Sequence, residues 1–494
     1  MSDSRLTRRR FVAAMPVGTL AAAAPSISAY GKRTQGARKP PTAAGAEERF
    51  DVCDYGAIGD GETLETDALQ RAIDAAAGAG GGTVVFPAGE YLSGTLTLRS
   101  SVALRLGAGA VLQGSCRAED YPGPNVLLFA ADAERIALYG PGTIRGIGQA
   151  DYGRRRLPEP EPAPDFRAGI LRMDDCRGVI IRDLTILESD TWTINLRRCE
   201  DIVTDGVTIL NNYFRTNSDG IDPVSSRNVR ISNCHIVAGD DCIVLKSNAG
   251  APTENVVVTN CTLESIATAI KLGTESPEDF RNIQVSNCVI RNSTVGIGLF
   301  LKDGGTMERM SFSNISIENP PRSEAEGLHA GWLARSLFPI FADIERRHED
   351  STVGVIRDLS FSKIQIESGA GVVIQGMPES PIDNLLLRDI TFRVNEPWDY
   401  SGRRKHIGGR RTTSDERDTR FVRQPSYVTL AHTVDAVVEN LRLYASEEEY
   451  AAYPRAALGV FESAEATVGH VLRRPVDADG PVPVVLFEES GGAQ

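Results

Sequence analysis

A short phrase of alternating apolar residues recurs along this chain at an almost constant interval. The second residue of each copy advances by 23 and then by 27, 27, 27 and 27 positions: Val179, Ile202, Val229, Val256, Ile283 and Met310. Apolar residues that alternate with polar ones indicate a β-strand with one face turned inward. Short strands at a fixed period, without helical spacing, are typical of a solenoid in which each repeat covers its neighbour. The sequence therefore predicts an all-β fold, a right-handed parallel β-helix.

A column of polar residues supports this fold. Asn occupies the same place in four successive copies of the phrase: Asn233, Asn260, Asn287 and Asn314. Asn tolerates a left-handed backbone and can hydrogen-bond to a stacked copy of itself, so the column suits a bend between two strands. Weaker copies of the phrase lie at 357–366, 383–392 and near 437–443. We expect the solenoid to continue through them.

A segment with helical spacing precedes the repeat, and two insertions interrupt the repeat. Residues 66–77 place their apolar side chains on one helical face, which predicts a short helix that caps the N-terminal end of the solenoid. We expect one β-helix domain over residues 50–494, with insertions near 319–354 and 395–425. The first insertion has a helical pattern over about 333–347. The second is basic, and we expect it to form a wall that closes one end of a groove.

The N-terminal segment has the features of an export signal. Three consecutive Arg lie within Thr7–Val12, and an apolar run of small residues follows as far as Ala24. A charged head and a short apolar core are typical of signal peptides, and the paired Arg before Phe11 resembles the twin-arginine type. The run is too short for an ordinary membrane span. We expect a signal peptide at 1–29, a linker at 30–49, and export to the periplasm or out of the cell.

Composition restricts the partners and cofactors. The formal net charge of −13 leaves no basic excess for nucleic acid, so we expect no nucleic-acid partner. After removal of the signal we expect no membrane association. Five of the eight Cys fall at equivalent places in the repeat: Cys176 and Cys199, and Cys234, Cys261 and Cys288. Such columns predict buried, reduced thiols, and no Cys-x-x-Cys spacing indicates zinc. We expect a monomer without metal or other cofactor.

Two acidic motifs stand about one coil apart. Asp219 lies within Asn217–Asp222, and Asp240 and Asp241 lie within Gly239–Ile243. Neighbouring strands of a solenoid are about 4.8 Å apart. Carboxyl groups this close repel each other, which separates their pKa values and lets one act as an acid while another acts as a base. A catalytic site is one interpretation. A structural ladder at a bend, or a Ca²⁺ site, is the other.

On these motifs the chain resembles glycoside hydrolase family 28, the polygalacturonase-like β-helix enzymes. The resemblance covers most of residues 50–445, and its pieces are 54–61, 81–89, 217–222, 239–247 and 376–382. It implies that Asp240 is the general acid and that Asp219 and Asp241 activate water. It also implies an inverting glycosidase that acts on a pectic or related uronic-acid-containing polysaccharide or oligosaccharide. Inverting enzymes usually hold acid and base about 6.5–9.5 Å apart, with a water between them.

The chain departs from the family pattern beyond the Asp motifs. Family polygalacturonases carry Gly-His-Gly one coil further on, and Thr268 stands here at the His position. They usually carry an Arg-x-Lys pair on the next coil. Gly298 and Phe300 occupy those places in 27-residue register, and Lys302 lies two positions beyond. The departures imply weak activity on unbranched polygalacturonate, and better activity on a branched or mixed pectic chain or at chain ends.

Alternation predicts which side chains face outward beside the Asp residues. Inward and outward positions alternate along a strand, so Lys246 and, on the next coil, Lys271 face outward. Glu275 is placed to pair with Lys271. Trp192 and Trp398 are candidates for stacking on a sugar ring or for packing. We expect the following residues to bind substrate: Asn217, Asp222, Lys246, Thr268, Lys271 and Lys302.

Three functions fit these patterns. The first is an inverting glycosidase. The second is a polysaccharide lyase on the same architecture, which would need Ca²⁺ and a Lys or Arg base aimed at a uronic acid. The third is a carbohydrate-binding solenoid without activity. An unsaturated product and inhibition by chelator would identify the lyase, and sugar affinity without turnover would identify the binding protein.

Overall fold

The alternating phrases fold into strands that stack along a solenoid. The computed structural model describes residues 48–148, 166–321, 323, 337–348, 350–397, 421, 424–452, 454–474 and 482–488. The first coils contain β1 (Arg49–Asp51), β2 (Asp60–Leu64), β3 (Gly82–Phe86), β4 (Gly89–Ser93), β5 (Leu96–Thr97), β6 (Val102–Leu106), β7 (Ala110–Gly114), β8 (Val126–Ala131), β9 (Glu134–Tyr139) and β10 (Thr143–Arg145).

The middle and last coils complete the set of described strands. The middle coils contain β11 (Gly169–Asp174), β12 (Arg177–Arg182), β13 (Thr185–Leu187), β14 (Ile194–Arg197), β15 (Glu200–Asp205), β16 (Thr208–Leu210), β17 (Ile221–Val224), β18 (Arg227–Ser232), β19 (His235–Ala238), β20 (Ile243–Leu245), β21 (Thr253–Thr259), β22 (Thr262–Ser265), β23 (Thr268–Leu272), β24 (Phe280–Ser286), β25 (Val289–Ile290) and β26 (Val295–Leu301). The last coils contain β27 (Thr306–Glu318), β28 (Phe338–Ile344), β29 (Val355–Ser368), β30 (Val372–Gln375), β31 (Ile382–Val394), β32 (Ser426–Ala431), β33 (Thr433–Tyr444), β34 (Ala456–Phe461), β35 (Thr467–Val468), β36 (Val471–Arg474) and β37 (Val485–Glu488).

Each middle coil contributes three strands, and each strand pairs in parallel with its equivalent one coil away. The repeated phrases form the first ladder, in which Val179 lies opposite Ile202 and Ile202 lies opposite Val229. Long strands from β27 onward join this ladder to the second. The third ladder is a separate sheet that runs from β5 to β37. The predicted parallel β-helix and the register of its repeat are confirmed.

The inward face of each phrase forms the core. In β12, Val179 and Ile181 are fully buried, whereas Ile180 between them is 41% exposed. Burying a Val or Ile side chain contributes about 1.5–3 kcal/mol. A shift of one residue would turn each inward side chain to solvent, so burial fixes the register of every coil.

The Asn column lies at the predicted bend between the first and second ladders. Its four members have φ between 54° and 57°: Asn233, Asn260, Asn287 and Asn314. Nδ2 of Asn314 donates to Oδ1 of Asn287 at 2.8 Å, and Nδ2 of Asn260 donates to Oδ1 of Asn233 at 3.3 Å. Stacked Asn side chains therefore satisfy each other where the chain turns.

The predicted capping helix is also confirmed. Helix α1 spans Thr66–Gly78 and buries the predicted face: Leu69, Ala72, Ile73 and Ala76. A second helix, α2, spans Glu447–Ala452. Because α1 packs its apolar face on the first coils, it covers the end of the core that stacking leaves open.

The prediction of a helix over about 333–347 is wrong where the structure describes it. Strand β28 pairs in parallel with β26 and β30 and continues the third ladder. Ile340, Ala342 and Ile344 alternate into the main core. Their two-residue period decided the local structure, and the helical spacing was coincidental. The solenoid therefore continues inside the predicted first insertion.

Several predictions fall outside the described residues. The signal peptide at 1–29 and Trp398 do so entirely, as does most of the basic insertion at 395–425. The predicted linker at 30–49 also lies outside, except that β1 already begins at Arg49. Export stays a prediction. Within the described part of the chain, no helix has both the length and the apolar character needed to cross a bilayer.

All eight Cys lie within the described residues and none forms a disulfide. Six are buried: Cys176, Cys199, Cys234, Cys242, Cys261 and Cys288. Cys53 and Cys116 are exposed. The predicted burial of both stacked columns is confirmed, because equivalent positions on neighbouring coils face the same core. That the thiols stay reduced remains a prediction.

Candidate active site

The two acidic motifs meet in the middle of the third ladder, just before the N-terminal ends of two neighbouring strands. Asp219 lies two residues before β17, and Asp241 lies two residues before β20, preceded by Asp240. These strands pair in a register that places Asp219 and Asp241 one coil apart. The N–H of Gly220 donates to the carbonyl oxygen of Asp241 at 2.8 Å. The backbone of the solenoid thus brings both motifs to one place.

Two glycines allow the motifs to come this close. A Cβ on Gly220 would lie 2.4 Å from the carbonyl oxygen of Cys242 on the next coil. A Cβ on Gly239 would lie 2.3 Å from the carbonyl oxygens of Asn212 and Arg215. Any other residue would push the neighbouring backbones apart and move the Asp residues with them.

The three carboxyl groups converge. One oxygen from each can be chosen so that all three lie within 4.8 Å of one another: Asp219, Asp240 and Asp241. Asp219 and Asp241 are 2% and 1% exposed, and Asp240 is half-buried. The N–H of Asn217 donates to Oδ2 of Asp240 at 3.0 Å. Asn217 has a φ of 60°, a left-handed conformation that Asn tolerates. Asn217 therefore orients Asp240 through its backbone.

Burial and mutual repulsion raise the pKa values of Asp219 and Asp240. Burial, followed by the charge of Asp241, raises the pKa of Asp240 to about 6 against the attraction of Lys271. Burial, followed by the charges of Asp222 and Asp240, raises the pKa of Asp219 well above its ordinary value. An acid whose pKa lies near 6 is protonated in weakly acidic solution and can donate its proton there.

Asp222 is a fourth buried carboxyl group. It lies in β17 opposite Asn195 and is fully buried. Burial raises its pKa well above the ordinary value, although Lys246 opposes this. Among the described residues no donor hydrogen-bonds to either of its carboxyl oxygens. Because Asp222 is enclosed, the geometry supports an electrostatic effect on Asp219 rather than the predicted contact with substrate.

Two lysines supply positive charge to the site. Nζ of Lys271 lies 2.7 Å from Oδ2 of Asp241. Nζ of Lys246 lies 3.2 Å from Oε2 of Glu275 and 4.9 Å from the ring centre of Trp192. The prediction that Glu275 pairs with Lys271 is therefore wrong, because Lys271 is drawn to Asp241 instead. Trp192 contacts the site through Lys246.

Both lysines stay charged despite their burial. Burial lowers the pKa of Lys271, but the charges of Asp241 and Asp240 outweigh it and raise that pKa above its ordinary value. Burial also lowers the pKa of Lys246, and the charge of Asp222 leads the attractions that raise it overall. Each ammonium group thus balances protein carboxylates, which leaves less of its charge for a substrate.

Two further predicted substrate-binding residues are enclosed. Lys302 is 1% exposed and forms an ion pair with Glu345. Thr268 is 4% exposed, and its carbonyl oxygen accepts the N–H of Cys242 at 3.0 Å. The charge of Lys302 is already matched within the protein, so the geometry gives no support to its predicted contact with substrate.

The positions of the missing Arg-x-Lys pair are apolar. A Cβ on Gly298 would lie 2.4 Å from the ring of Phe300. Phe300 is 1% exposed and belongs to a buried apolar cluster of Val295, Phe300, Phe338, Phe341 and Val373. An acidic sugar therefore finds no cation at the two places where the family pattern would supply one.

The carboxylate oxygens of the three Asp residues are also close enough together to act as ligands of a divalent cation. Oδ2 of Asp241, however, already faces the ammonium group of Lys271. Lys246 adds a second positive charge that acts on Asp219. Fixed ammonium groups among the ligands repel a cation. The arrangement therefore suits proton transfer better than metal binding.

The sequence patterns did not point to a second charged group beside the Asp residues. Asp190 is 1% exposed, accepts a hydrogen bond from Nε of Arg215, and lies 3.6 Å from Nε of Arg167. Arg167 also donates from Nη2 to the carbonyl oxygen of Thr216. Asp190 stands 29 residues before Asp219, about one coil, and this spacing is the signal that could have found it.

Comparison with known proteins finds sequence similarity over part of the chain. The model of glycosyl hydrolases family 28 matches residues 80–322. A probable polygalacturonase from Vitis vinifera is 31% identical over 40% of this chain and 44% of its own length. An exopolygalacturonase from Platanus acerifolia is 32% identical over 39% of this chain and 52% of its own. The chain thus spans about half the length of these curated relatives.

Solved structures share the fold. A hyperthermoactive exopolygalacturonase from Thermotoga maritima superposes with a TM-score of 0.60 and 20% identity, over 71% of this chain and 88% of that protein. At this identity the likeness shows the right-handed parallel β-helix and nothing finer. The fold is thus a parallel β-helix, and part of the chain is similar in sequence to polygalacturonases. The sequence similarity to glycoside hydrolase family 28 covers residues 80–322, just under half of the chain.

Proposed function

We propose that this protein is an inverting glycoside hydrolase that cleaves a pectic or related uronic-acid-containing polysaccharide or oligosaccharide. The observation that carries the proposal is the convergence of Asp219, Asp240 and Asp241, one oxygen from each lying within 4.8 Å of the others. The polygalacturonases among its relatives support the substrate class. Two carboxyl functions of opposite protonation are what glycosidic bond cleavage needs.

Asp240 is the proposed general acid. Its pKa of about 6 keeps it protonated in weakly acidic solution, and it is the most exposed of the three Asp residues. The N–H of Asn217 holds its Oδ2 at 3.0 Å. In the proposed reaction Asp240 gives its proton to the glycosidic oxygen as the bond to the leaving sugar breaks.

Asp219 and Asp241 are the proposed water-activating groups. Lys271 places a positive charge 2.7 Å from Oδ2 of Asp241, so Asp241 takes the proton of the attacking water while Asp219 orients it. The nearest oxygens of the three groups lie within 4.8 Å. This is closer than the 6.5–9.5 Å expected between the carboxyl groups of an inverting enzyme. With oxygens within 4.8 Å of each other, Asp219 and Asp241 can both hydrogen-bond to one water, and direct attack by that water inverts the anomeric carbon.

The proposed specificity differs from that of an ordinary polygalacturonase. Thr268 cannot become a cation near pH 6, and Gly298 and Phe300 offer no charge to a galacturonate carboxylate. Losing such a charge-assisted hydrogen bond removes about 1.5–3 kcal/mol. We therefore propose weak activity on long unbranched homogalacturonan and better activity on branched or mixed pectic chains, or at chain ends.

The test is product analysis with a panel of pectic polysaccharides and oligosaccharides. Saturated reducing sugars, with the product released as the inverted anomer in ¹H NMR, support the proposal. Release of the retained anomer overturns the inverting mechanism. An ultraviolet-absorbing unsaturated product that disappears with chelator identifies a lyase. Sugar binding that persists in Asp240→Asn, without turnover by the unchanged protein, identifies a binding solenoid.

A further inference from the structure

We infer that Arg167 and Arg215, held by Asp190, form a carboxylate-binding subsite beside the three catalytic Asp residues, on the N-terminal side. The inference rests on the proposed function and names the substrate group that this part of the site recognises, an acidic sugar. Asp190 and the two Arg residues come from irregular segments that the family motifs do not include.

The anchor of the subsite is a single buried carboxylate. Asp190 is 1% exposed, and its Oδ1 accepts a hydrogen bond from Nε of Arg215. Nε of Arg167 lies 3.6 Å from Oδ2 of the same residue, and its Nη2 donates to the carbonyl oxygens of Asp190 and Thr216. One carboxylate therefore fixes two guanidinium groups, and the three side chains together carry one excess positive charge.

The free donors are accessible. The side chains of Arg167 and Arg215 are 34% and 21% exposed. Among the described residues, Nε is the only nitrogen of the Arg215 guanidinium that donates to a protein acceptor. Its two terminal nitrogens are available, and two parallel N–H donors match the geometry of a carboxylate.

The subsite adjoins the reacting groups. The carbonyl that Arg167 contacts belongs to Thr216, which precedes Asn217, and the N–H of Asn217 holds Asp240 at 3.0 Å. The charge of Asp219 also acts on Arg167. A sugar that reaches Asp240 along the solenoid therefore passes within reach of the Arg pair.

The other cations of the site are already matched. Three lysines pair with protein carboxylates: Lys246 with Glu275, Lys271 with Asp241, and Lys302 with Glu345. Gly298 and Phe300 provide no charge on the C-terminal side. Arg167 and Arg215 together exceed the charge of Asp190, so a uronate beside them gains an attraction that these paired lysines do not offer.

The experiment compares Arg215→Gln with the matched control Arg198→Gln. Arg198 pairs with Asp175 at 2.7 Å in a similar ion pair on the surface. The substrates are trigalacturonate as the free acid and as its methyl ester, which lacks the charge. We expect Arg215→Gln to lower the acid-to-ester ratio of kcat/KM about tenfold or more, and Arg198→Gln to leave the ratio unchanged.

A second variant guards against misfolding, because Arg215→Gln leaves Asp190 with one partner fewer. Arg167→Gln keeps the Asp190–Arg215 pair and should reduce the ratio in the same direction, and Arg215→Lys should recover part of it. Circular dichroism identifies the folded variants. An unchanged ratio in a folded Arg215→Gln or Arg167→Gln protein overturns the subsite.

Calorimetric binding of the same two sugars separates this inference from the proposed hydrolase. If the unchanged protein hydrolyses neither these sugars nor any member of the pectic panel, but binds the acid in an Arg215-dependent way, the hydrolase fails and the subsite stands. If it hydrolyses both with a ratio that does not depend on Arg215 or Arg167, the subsite fails and the hydrolase stands. If it does not bind these sugars and hydrolyses no member of the panel, both are overturned.

Discussion

Nζ of Lys271 lies 2.7 Å from Oδ2 of Asp241, so a cation from one coil is fixed against an acidic residue of the coil before it. This contact places positive charge inside a cluster of carboxyl groups that burial would otherwise force to take up protons. Burial and the charge of Asp241 raise the pKa of Asp240, and the charge of Lys271 opposes this rise by favouring the ionised carboxylate. The ion pair is therefore part of the acid–base balance of the site.

Changing Asp240 to Asn should remove general-acid assistance. We expect kcat to fall by about 100-fold or more, because such assistance contributes about 10²–10⁴. Asn keeps an oxygen that can accept the N–H of Asn217, so the melting temperature should change little. Steady-state kinetics and thermal unfolding check both points. Asp132→Asn, at an exposed carboxylate, is the control and should match the unchanged protein; full turnover in Asp240→Asn would remove Asp240 from its assigned role.

Activity should depend on pH through Asp240. A general acid works only when protonated, so kcat/KM should fall as pH rises through about 6, the pKa of Asp240 in the folded protein. A pH–rate profile of the unchanged protein measures this limb. A profile that stays flat to pH 8 would contradict the assignment.

Stability should change over the same range. The folded-state pKa of Asp240 is raised from 3.8 to about 6, so the folded protein binds more protons than the unfolded chain between these values. The free energy of unfolding should therefore fall as pH rises from about 4 to about 6. Chemical denaturation at several pH values should show a shallower decline in Asp240→Asn, and an equal decline in both proteins would count against the raised pKa.

Replacing Lys271 by Met should disturb both activity and pH dependence. The change removes the positive charge next to Asp241, and the attraction of Lys271 lowers the pKa of Asp240. That pKa should rise, so the alkaline limb of kcat/KM should move to higher pH, and kcat should fall about tenfold or more. Lys363→Met, at an exposed position, serves as the control. An unshifted limb in a folded Lys271→Met protein would show that this ion pair does not tune the acid.

Thiol titration should distinguish buried from exposed cysteines. All eight Cys are free, and only Cys53 and Cys116 are exposed. We expect two thiols to react quickly in the native protein and eight to react after unfolding in denaturant. Four disulfides in the unfolded protein would contradict the stacked columns, since thiols in one inward column cannot pair without distortion.

Substrate preference should reflect the apolar coil beyond Lys271. We expect kcat/KM on long homogalacturonan to be lower than on rhamnogalacturonan-type fragments or on short oligosaccharides cleaved from an end. Phe300 fills the space that a cation would need, which gives the physical reason. Chromatography of products over time separates end cleavage from internal cleavage. Rapid random cleavage of homogalacturonan would show that another group supplies the missing contact.

The sequence by itself determined the periodic part of the protein. In a solenoid, a residue one period away in sequence is a neighbour in space, so the strands, the Asn bend and the Cys columns could be predicted from spacing alone. The same rule brought Asp219 beside Asp241, because the two motifs occupy equivalent places on adjoining coils. The capping helix followed from its own apolar face.

The tertiary structure alone decided what lies outside the period. Glu275 pairs with Lys246 rather than Lys271, because side-chain reach and competing charges, not register, select an ion-pair partner. Asp190 meets Arg215 across two irregular loops whose course no repeat fixes. The enclosure of Asp222 and Lys302 likewise depends on what covers the outer face of the sheet. Periodicity sets which backbones are neighbours, whereas loops and side-chain packing decide which charges remain available for chemistry.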